Sequence, residues 1–175
     1  AHRLIELMLS IQLPVVCAVR GWAAGLGCQL ALAADFTVAA DDATFWEPFV
    51  ARGFTPDGAA TWLLPRLVGV ARAKELLLLG EKVTGRQAAE WGMIHRSVPG
   101  DEVAGVSEDL LRRLAQGPTV AIGLAKSCLR GSLELTLNEA MAKEALALEL
   151  SARSEDFREG LAAFKERREP KYKGR

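Results

Sequence analysis

The sequence is poor in the residues that staple a fold or bind a metal. It has three cysteines and two histidines in 175 residues. Cys17, Cys28 and Cys128 are an odd set, far apart and without a CxxC pair. That argues against a disulfide framework or a zinc site and suits a reducing cytoplasm. His2 and His95 stand alone. No apolar run approaches the roughly 20 residues of a spanning helix, and no secretory signal is visible. A cationic surplus is missing too, since 22 Lys and Arg balance 22 Asp and Glu. A globally basic nucleic-acid binder is therefore disfavoured. The chain lacks an initiator Met and opens as though cut from something longer.

Half of the residues are hydrophobic and 25% are charged, the balance of a folded globule. A chain of this length buries roughly 70% of its unfolded surface without a staple. Charge drifts along it. Residues 1–50 hold two Lys/Arg and five Asp/Glu, residues 151–175 eight and five. The basic tail reads as a solvated helix face, or as a surface that meets a phosphorylated small molecule or a neighbouring subunit.

The fold class is α/β. Leu4, Ile5, Met8, Leu9 and Ile11 predict a helix over 1–12, stopped by Pro14. The β-branched run 14–20 predicts a buried strand. A Gly-rich turn at 21–29, a helix over 30–34 and a strand at 36–39 complete a right-handed βαβ unit. Thr44–Trp46 reads as a short strand and 47–58 as loop. Helices follow at 59–67, bent at Pro65, at 71–79 and at 85–91, then a strand over 93–98. From Glu102 onward helices are expected near 102–116, 119–130, 135–152 and 155–168. Leu146, Leu148, Leu150, Leu161 and Phe164 supply their apolar faces. Gly117-Pro118 divides an α/β core, 1–117, from a helical region, 118–175.

Two places carry chemistry. At the first, Gly25 and Gly27 let backbone approach a ligand, and the helix that follows leaves N–H groups unpaired at its positive end. That suits an anion or a developing oxyanion, although the glycines could serve only tight packing. A dinucleotide fingerprint fails because the third glycine position holds Leu30. Cys28, at a helix start with no histidine beside it in sequence, reads as a packing cysteine. The second place is Gly53-Phe-Thr-Pro-Asp57-Gly58. Asp57 is either the N-cap of the next helix or a carboxylate at the mouth of a pocket. Trp22, Trp46, Trp62, Trp91, Phe45, Phe49 and Phe54 crowd this half as core or pocket wall.

These residues have a family likeness. Leu13-Pro-Val-Val-Cys-Ala-Val-Arg-Gly-Trp-Ala-Ala-Gly-Leu-Gly-Cys-Gln-Leu-Ala-Leu-Ala-Ala-Asp35 resembles the signature of the enoyl-CoA hydratase/isomerase (crotonase) superfamily. The likeness continues through Ala43-Thr-Phe45, Gly53, Pro56, Pro65-Arg-Leu-Val-Gly69 and Ala88-x-x-Trp-Gly92 to Arg158-Glu-Gly-Leu-Ala-Ala-Phe-Lys-Glu-Arg-Arg168. It implies a crotonase-like superhelix of stacked ββα turns with a helical C-terminal oligomerisation region, in a homotrimer or in a hexamer that pairs two trimers. It also implies an acyl-CoA thioester as ligand, coenzyme A being part of the substrate and no separate cofactor being needed. The first strands of that fold, with a second oxyanion donor and much of the CoA site, are not recognisable in these residues.

Carried over by position, the oxyanion donor falls on the Leu26 backbone N–H, with Ala24, Gly25 and Gly27 beside it. The two catalytic glutamates of hydratases fall on Gln29 and Phe49, which cannot act as acid or base, so both become substrate contacts. Phe45…Phe49…Gly53…Pro56-Asp57…Trp62-Leu-Leu-Pro-Arg-Leu-Val-Gly69 resembles isomerases of ring-opened or epoxidised phenylacetyl-CoA. Asp57 also matches the nucleophile position of aryl-CoA dehalogenases. The resemblance thus implies isomerisation by proton shuttling through an enolate, with Asp57 as the base, its carboxyl raised by an apolar wall from Phe49. A catalytically weak acyl-CoA-binding protein and a residual enoyl-CoA hydratase are the alternatives. Glu47 reads as a solvated second candidate. Lys165 and Arg167 are placed where family members contact CoA phosphates, often across a subunit boundary. Acyl-CoA and further copies of the chain are the expected partners, nucleic acid and membrane are not, and the expected setting is the cytoplasm.

Overall fold

The β-branched segment before the Gly-rich turn forms strand β1 (Val16–Val19) in the computed structural model, which describes residues 2–175. Helix α1 (His2–Ser10) precedes it and buries Ile5. After β1 come β2 (Trp22–Ala24), α2 (Leu26–Ala33), β3 (Phe36–Ala40) and β4 (Thr44–Trp46). Consecutive strands lie in different sheets. β1 pairs parallel with β3, Val16 facing Phe36 and Val19 facing Ala39. β2 pairs parallel with β4, Trp22 facing Thr44 and Ala24 facing Trp46. The chain thus runs strand to strand across two sheets and returns through a helix, laying one ββα turn on the next. β5 (Lys82–Thr84) joins β4 antiparallel, and β6 (Arg96–Val98) joins β3 parallel.

Three expectations are corrected here. β2 lies within the stretch expected as a Gly-rich turn, and β5 lies where no strand is expected. The third concerns Pro65: helix α3 (Ala60–Lys74) stays helical there and breaks at Gly69, with φ 76°, within the gap expected between helices at 59–67 and 71–79. The helix carries Pro65 without leaving helical backbone, whereas Gly69 adopts a conformation that other residues avoid. α3 runs on into a π turn over Glu75–Leu79, and α4 (Gly85–Glu90) starts at a reciprocal cap between Thr84 and Gln87. The core of these elements is Val38, Ala39, Ala43, Phe45, Ala60, Leu64 and Val83, each at most 2% exposed.

Four more helices follow: α5 (Val103–Ala115), α6 (Thr119–Gly131), α7 (Leu137–Ala152) and α8 (Glu155–Glu166). The chain forms two compact units. One comprises residues up to Leu9 with Val15–Asp109, the other Ser10–Pro14 with Leu110–Arg175. The division between these units falls inside α5, between Asp109 and Leu110. Within the second unit, Thr136 and Glu139 cap α7 reciprocally, and Lys126 Nζ donates to the Leu13 carbonyl at 2.9 Å. Asp156, 2% exposed, accepts the backbone N–H groups of Lys173 and Gly174 at 2.7 and 2.8 Å, which ties the C-terminal segment to the start of α8. Among the described residues no helix is long and apolar enough to cross a membrane.

Candidate active site

The open end of α2 is built by Gly25, which sits at φ 53° and ψ −121°, backbone that an L side chain resists. Its N–H donates to the Trp46 carbonyl at 2.9 Å, fixing the start of α2 against β4. The first rung of the helix is Gln29 N–H to the Gly25 carbonyl at 3.0 Å. The amides of Leu26, Gly27 and Cys28 precede that rung and have no acceptor within their own helix. Ala24, Leu26 and Gly27 are exposed and Gly25 is half-buried. Accessible N–H groups at a positive helix end can hold an anion or a thioester oxygen gaining charge.

Gln29 was expected to touch substrate, and the structure corrects this: its side chain is 0% exposed. Its Nε2 donates to the Asp57 carbonyl at 3.0 Å and, across a long 3.5 Å, to Glu47 Oε2. Both neighbours are acceptors, so the nitrogen must face them. Gly58 lies directly on this amide. A Cβ there would come 1.9 Å from Gln29 Oε1, and its φ is 56°. Gln29 is therefore a brace that holds the Asp57–Gly58 turn against the start of α2.

Asp57 does not cap the following helix, because the residue before α3 is Ala59, with no side-chain cap. The Asp57 carbonyl instead accepts Ala60 N–H at 3.1 Å. Its carboxylate is free of that role and 61% exposed, with His2 Nε2 4.0 Å away. The apolar wall expected from Phe49 does not enclose it. Phe49 is 6% exposed and packs edge to face on Phe54 at 5.3 Å, so it offers a ligand little surface.

Burial falls on Glu47 instead, against the expectation that it is solvated. Glu47 is 2% exposed. Desolvation pushes its carboxyl up to about 7, hydrogen bonds from Cys28 and Gln29 pull the other way, and the charge of Asp57 adds to the rise. One oxygen of Glu47, Oε1, has no hydrogen-bond partner, nor has Gln29 Oε1. The signal was present in the sequence as alternation. Phe45 points inward at 1% exposure, and Glu47, two residues on, continues that face. Cys28, 1% exposed, is a packing thiol: burial raises it well above its usual range, and Glu47 raises it further.

Of the expected residues, Ala24, Gly25, Leu26 and Gly27 are contiguous at the start of α2, the Asp57 backbone carbonyl is tied to Gln29 of that helix, and Gln29 and Phe49 are buried. Lys165 and Arg167 belong to the second unit, exposed at the end of α8, where Arg167 takes φ 53° as its last cap. Among the described residues no group of three or more His, Cys, Asp or Glu is placed to hold a metal ion.

The chain belongs to the enoyl-CoA hydratase/isomerase family, whose description matches residues 1–175. It is 41% identical over 172 residues to the 1,2-epoxyphenylacetyl-CoA isomerase of Escherichia coli K12, covering 98% of this chain and 66% of that protein. It is 36% identical to the 2,3-dehydroadipyl-CoA hydratase of the same organism, covering 93% of this chain and 64% of the relative. Its fold superposes on an enoyl-CoA hydratase from Bacillus anthracis with a TM-score of 0.95 at 33% identity, over 99% of this chain and 67% of the other. The chain spans about two thirds of the length of the curated relatives it matches.

Proposed function

We propose that these residues form the catalytic part of an acyl-CoA thioester isomerase. The observation that supports the reading is at α2: the Leu26 N–H has no acceptor within its own helix, and Gln29 of the same helix holds the backbone carbonyl of Asp57. A thioester carbonyl would accept the Leu26 N–H, with a second donor from outside these 175 residues. As the α-proton leaves for the Asp57 carboxylate, the electrons of the C–H bond delocalise onto that oxygen as an enolate, and the amides hold the charge. The carboxylic acid then returns the proton at the γ-carbon, so the double bond moves and no water is consumed. The 1,2-epoxyphenylacetyl-CoA isomerase of Escherichia coli supports the direction of this reading.

Hydration is the second reading, favoured by relatives named as hydratases. It needs a carboxylate that can reach water, and positions 29 and 49 hold Gln and Phe. Glu47, though acidic, is 2% exposed. In the test of the proposal, Asp57→Asn in the complete natural chain lowers the rate of double-bond migration by about 10²–10⁴-fold, as loss of a general base does. Migration at near wild-type rate sinks the assignment. If turnover is absent in both proteins while acyl-CoA still binds, the chain is a thioester-binding protein instead.

We further assign self-association to the second unit. Leu137, Met141 and Leu148 fall on one face of α7 and are 75, 56 and 65% exposed, and α7 buries no residue of its own. A trimer, alone or paired, would cover such a stripe. Lys165 and Arg167, both exposed, would then be available to CoA phosphates. Three free thiols suit a reducing, cytoplasmic setting.

A further inference from the structure

Glu47 takes no part in the proton transfer assigned to Asp57, yet a carboxyl is costly to bury. The side chains that meet it are Cys28 and Gln29 from α2, with the charge of Asp57 close enough to act on it. We propose that Glu47 is a positioning residue for Asp57, acting through the Gln29 amide. The inference rests on the reading of Asp57 as acid and base.

A primary amide has two N–H groups and one oxygen. At Gln29 the nitrogen is shared between the Asp57 carbonyl and Glu47 Oε2. With Glu47 ionised, turning the amide over would set its oxygen against two acceptors. Glu47 thus adds a second acceptor on the side of Gln29 that faces Asp57, and the amide held there braces the main chain at Asp57. Gly58 makes the fit close, because its missing Cβ is the space that Gln29 Oε1 occupies. The buried acid also accounts for an amide at position 29. A carboxylate there would face Glu47 Oε2 across the 3.5 Å now bridged by N–H, and the Asp57 carbonyl across 3.0 Å. The acid at 47 and the amide at 29 are thus a matched pair, and together they set the place from which Asp57 works.

The experiment uses the complete natural chain with Glu47→Leu, Glu47→Gln and Asp57→Asn. It reads amide hydrogen exchange over residues 57–60 and, separately, kcat and KM for double-bond migration. In Glu47→Leu, exchange at 57–60 speeds up about tenfold, the worth of one lost hydrogen bond. Its kcat falls toward the roughly 100-fold that a small misplacement of a catalytic group costs, with KM nearly unchanged. Glu47→Gln keeps an oxygen acceptor for Gln29 and recovers both quantities. Should Glu47→Leu fail to fold, Gln29→Met breaks the same brace from the other side and loosens the same amides. Unchanged exchange in Glu47→Leu or Gln29→Met overturns the inference. So does faster exchange with kcat intact while Asp57→Asn is inactive. If Asp57→Asn turns over normally, the isomerase reading falls by itself, and the exchange result alone decides the brace.

Discussion

The two compact units differ in where apolar surface is buried: the first holds nearly all of the buried core, although Leu78, Leu79 and Val70 stay exposed, and of the second only Ala163 is in that core. In the first, Val38, Ala39, Ala43, Phe45 and Leu64 are at most 1% exposed, and even the acid Glu47 is drawn inside. In the second, Leu133, Leu137, Leu148 and Phe164 are 73, 75, 65 and 83% exposed, and α7 buries nothing. Leu146, Leu148, Leu150, Leu161 and Phe164, which the sequence presents as apolar helix faces, are all exposed on this chain. The first unit can position a site with its own packing. The second holds surface whose removal from water needs another molecule. A site built on the first unit is therefore sensitive to single contacts, and the second unit is sensitive to assembly.

The sharpest test of that sensitivity is Gly58→Ala. The added Cβ would meet Gln29 Oε1 at 1.9 Å on backbone with φ 56°. Strain and a displaced buried amide together cost about 3–5 kcal/mol. Chemical denaturation measures it, and an unchanged midpoint would break the claim that the turn is pinned.

A somewhat smaller effect concerns pH. Glu47 titrates near 7 in the folded chain against an ordinary value of 4.5. The folded state therefore binds the extra proton between those values, and stability falls as pH rises through that window. The loss reaches about 3 kcal/mol by pH 8. Glu47→Gln removes this fall, so the stability difference between variant and parent at pH 5 and pH 8 isolates it. Equal differences at both pH values would contradict the burial of this acid.

The least effect on folding is expected in the second unit. Met141→Glu with Leu148→Glu changes unfolding free energy by no more than about 0.5 kcal/mol, as exposed substitutions do. It shifts sedimentation velocity from an oligomer toward single chains. Loss of folding with no change of assembly would reverse the contrast between the units.

Much of this organisation was legible from local pattern. The Gly25–Gly27 turn, the strands around it and the four C-terminal helices follow from glycine, β-branching and helical period. β2 and β5 were hidden because three-residue strands among Gly, Ala and Lys carry too little alternation to stand out. The break at Gly69 falls in the gap between the two expected helices, whereas the bend expected at Pro65 does not occur, because the helix accommodates that proline. At the site, Leu26 was readable because only its backbone matters. Gln29 and Glu47 were misread because their roles depend on each other, and on a turn 28 residues further along, at Asp57. Burial of that kind is a property of the assembled unit and not of any segment.

The central claim is that a proton is moved and water is not added. The direct measurement incubates the complete natural chain with an enoyl-CoA thioester in H₂¹⁸O and follows the products by mass spectrometry. The account predicts an unlabelled positional isomer, lost with Asp57→Asn. A 3-hydroxyacyl product carrying ¹⁸O, formed equally well by that variant, would contradict it.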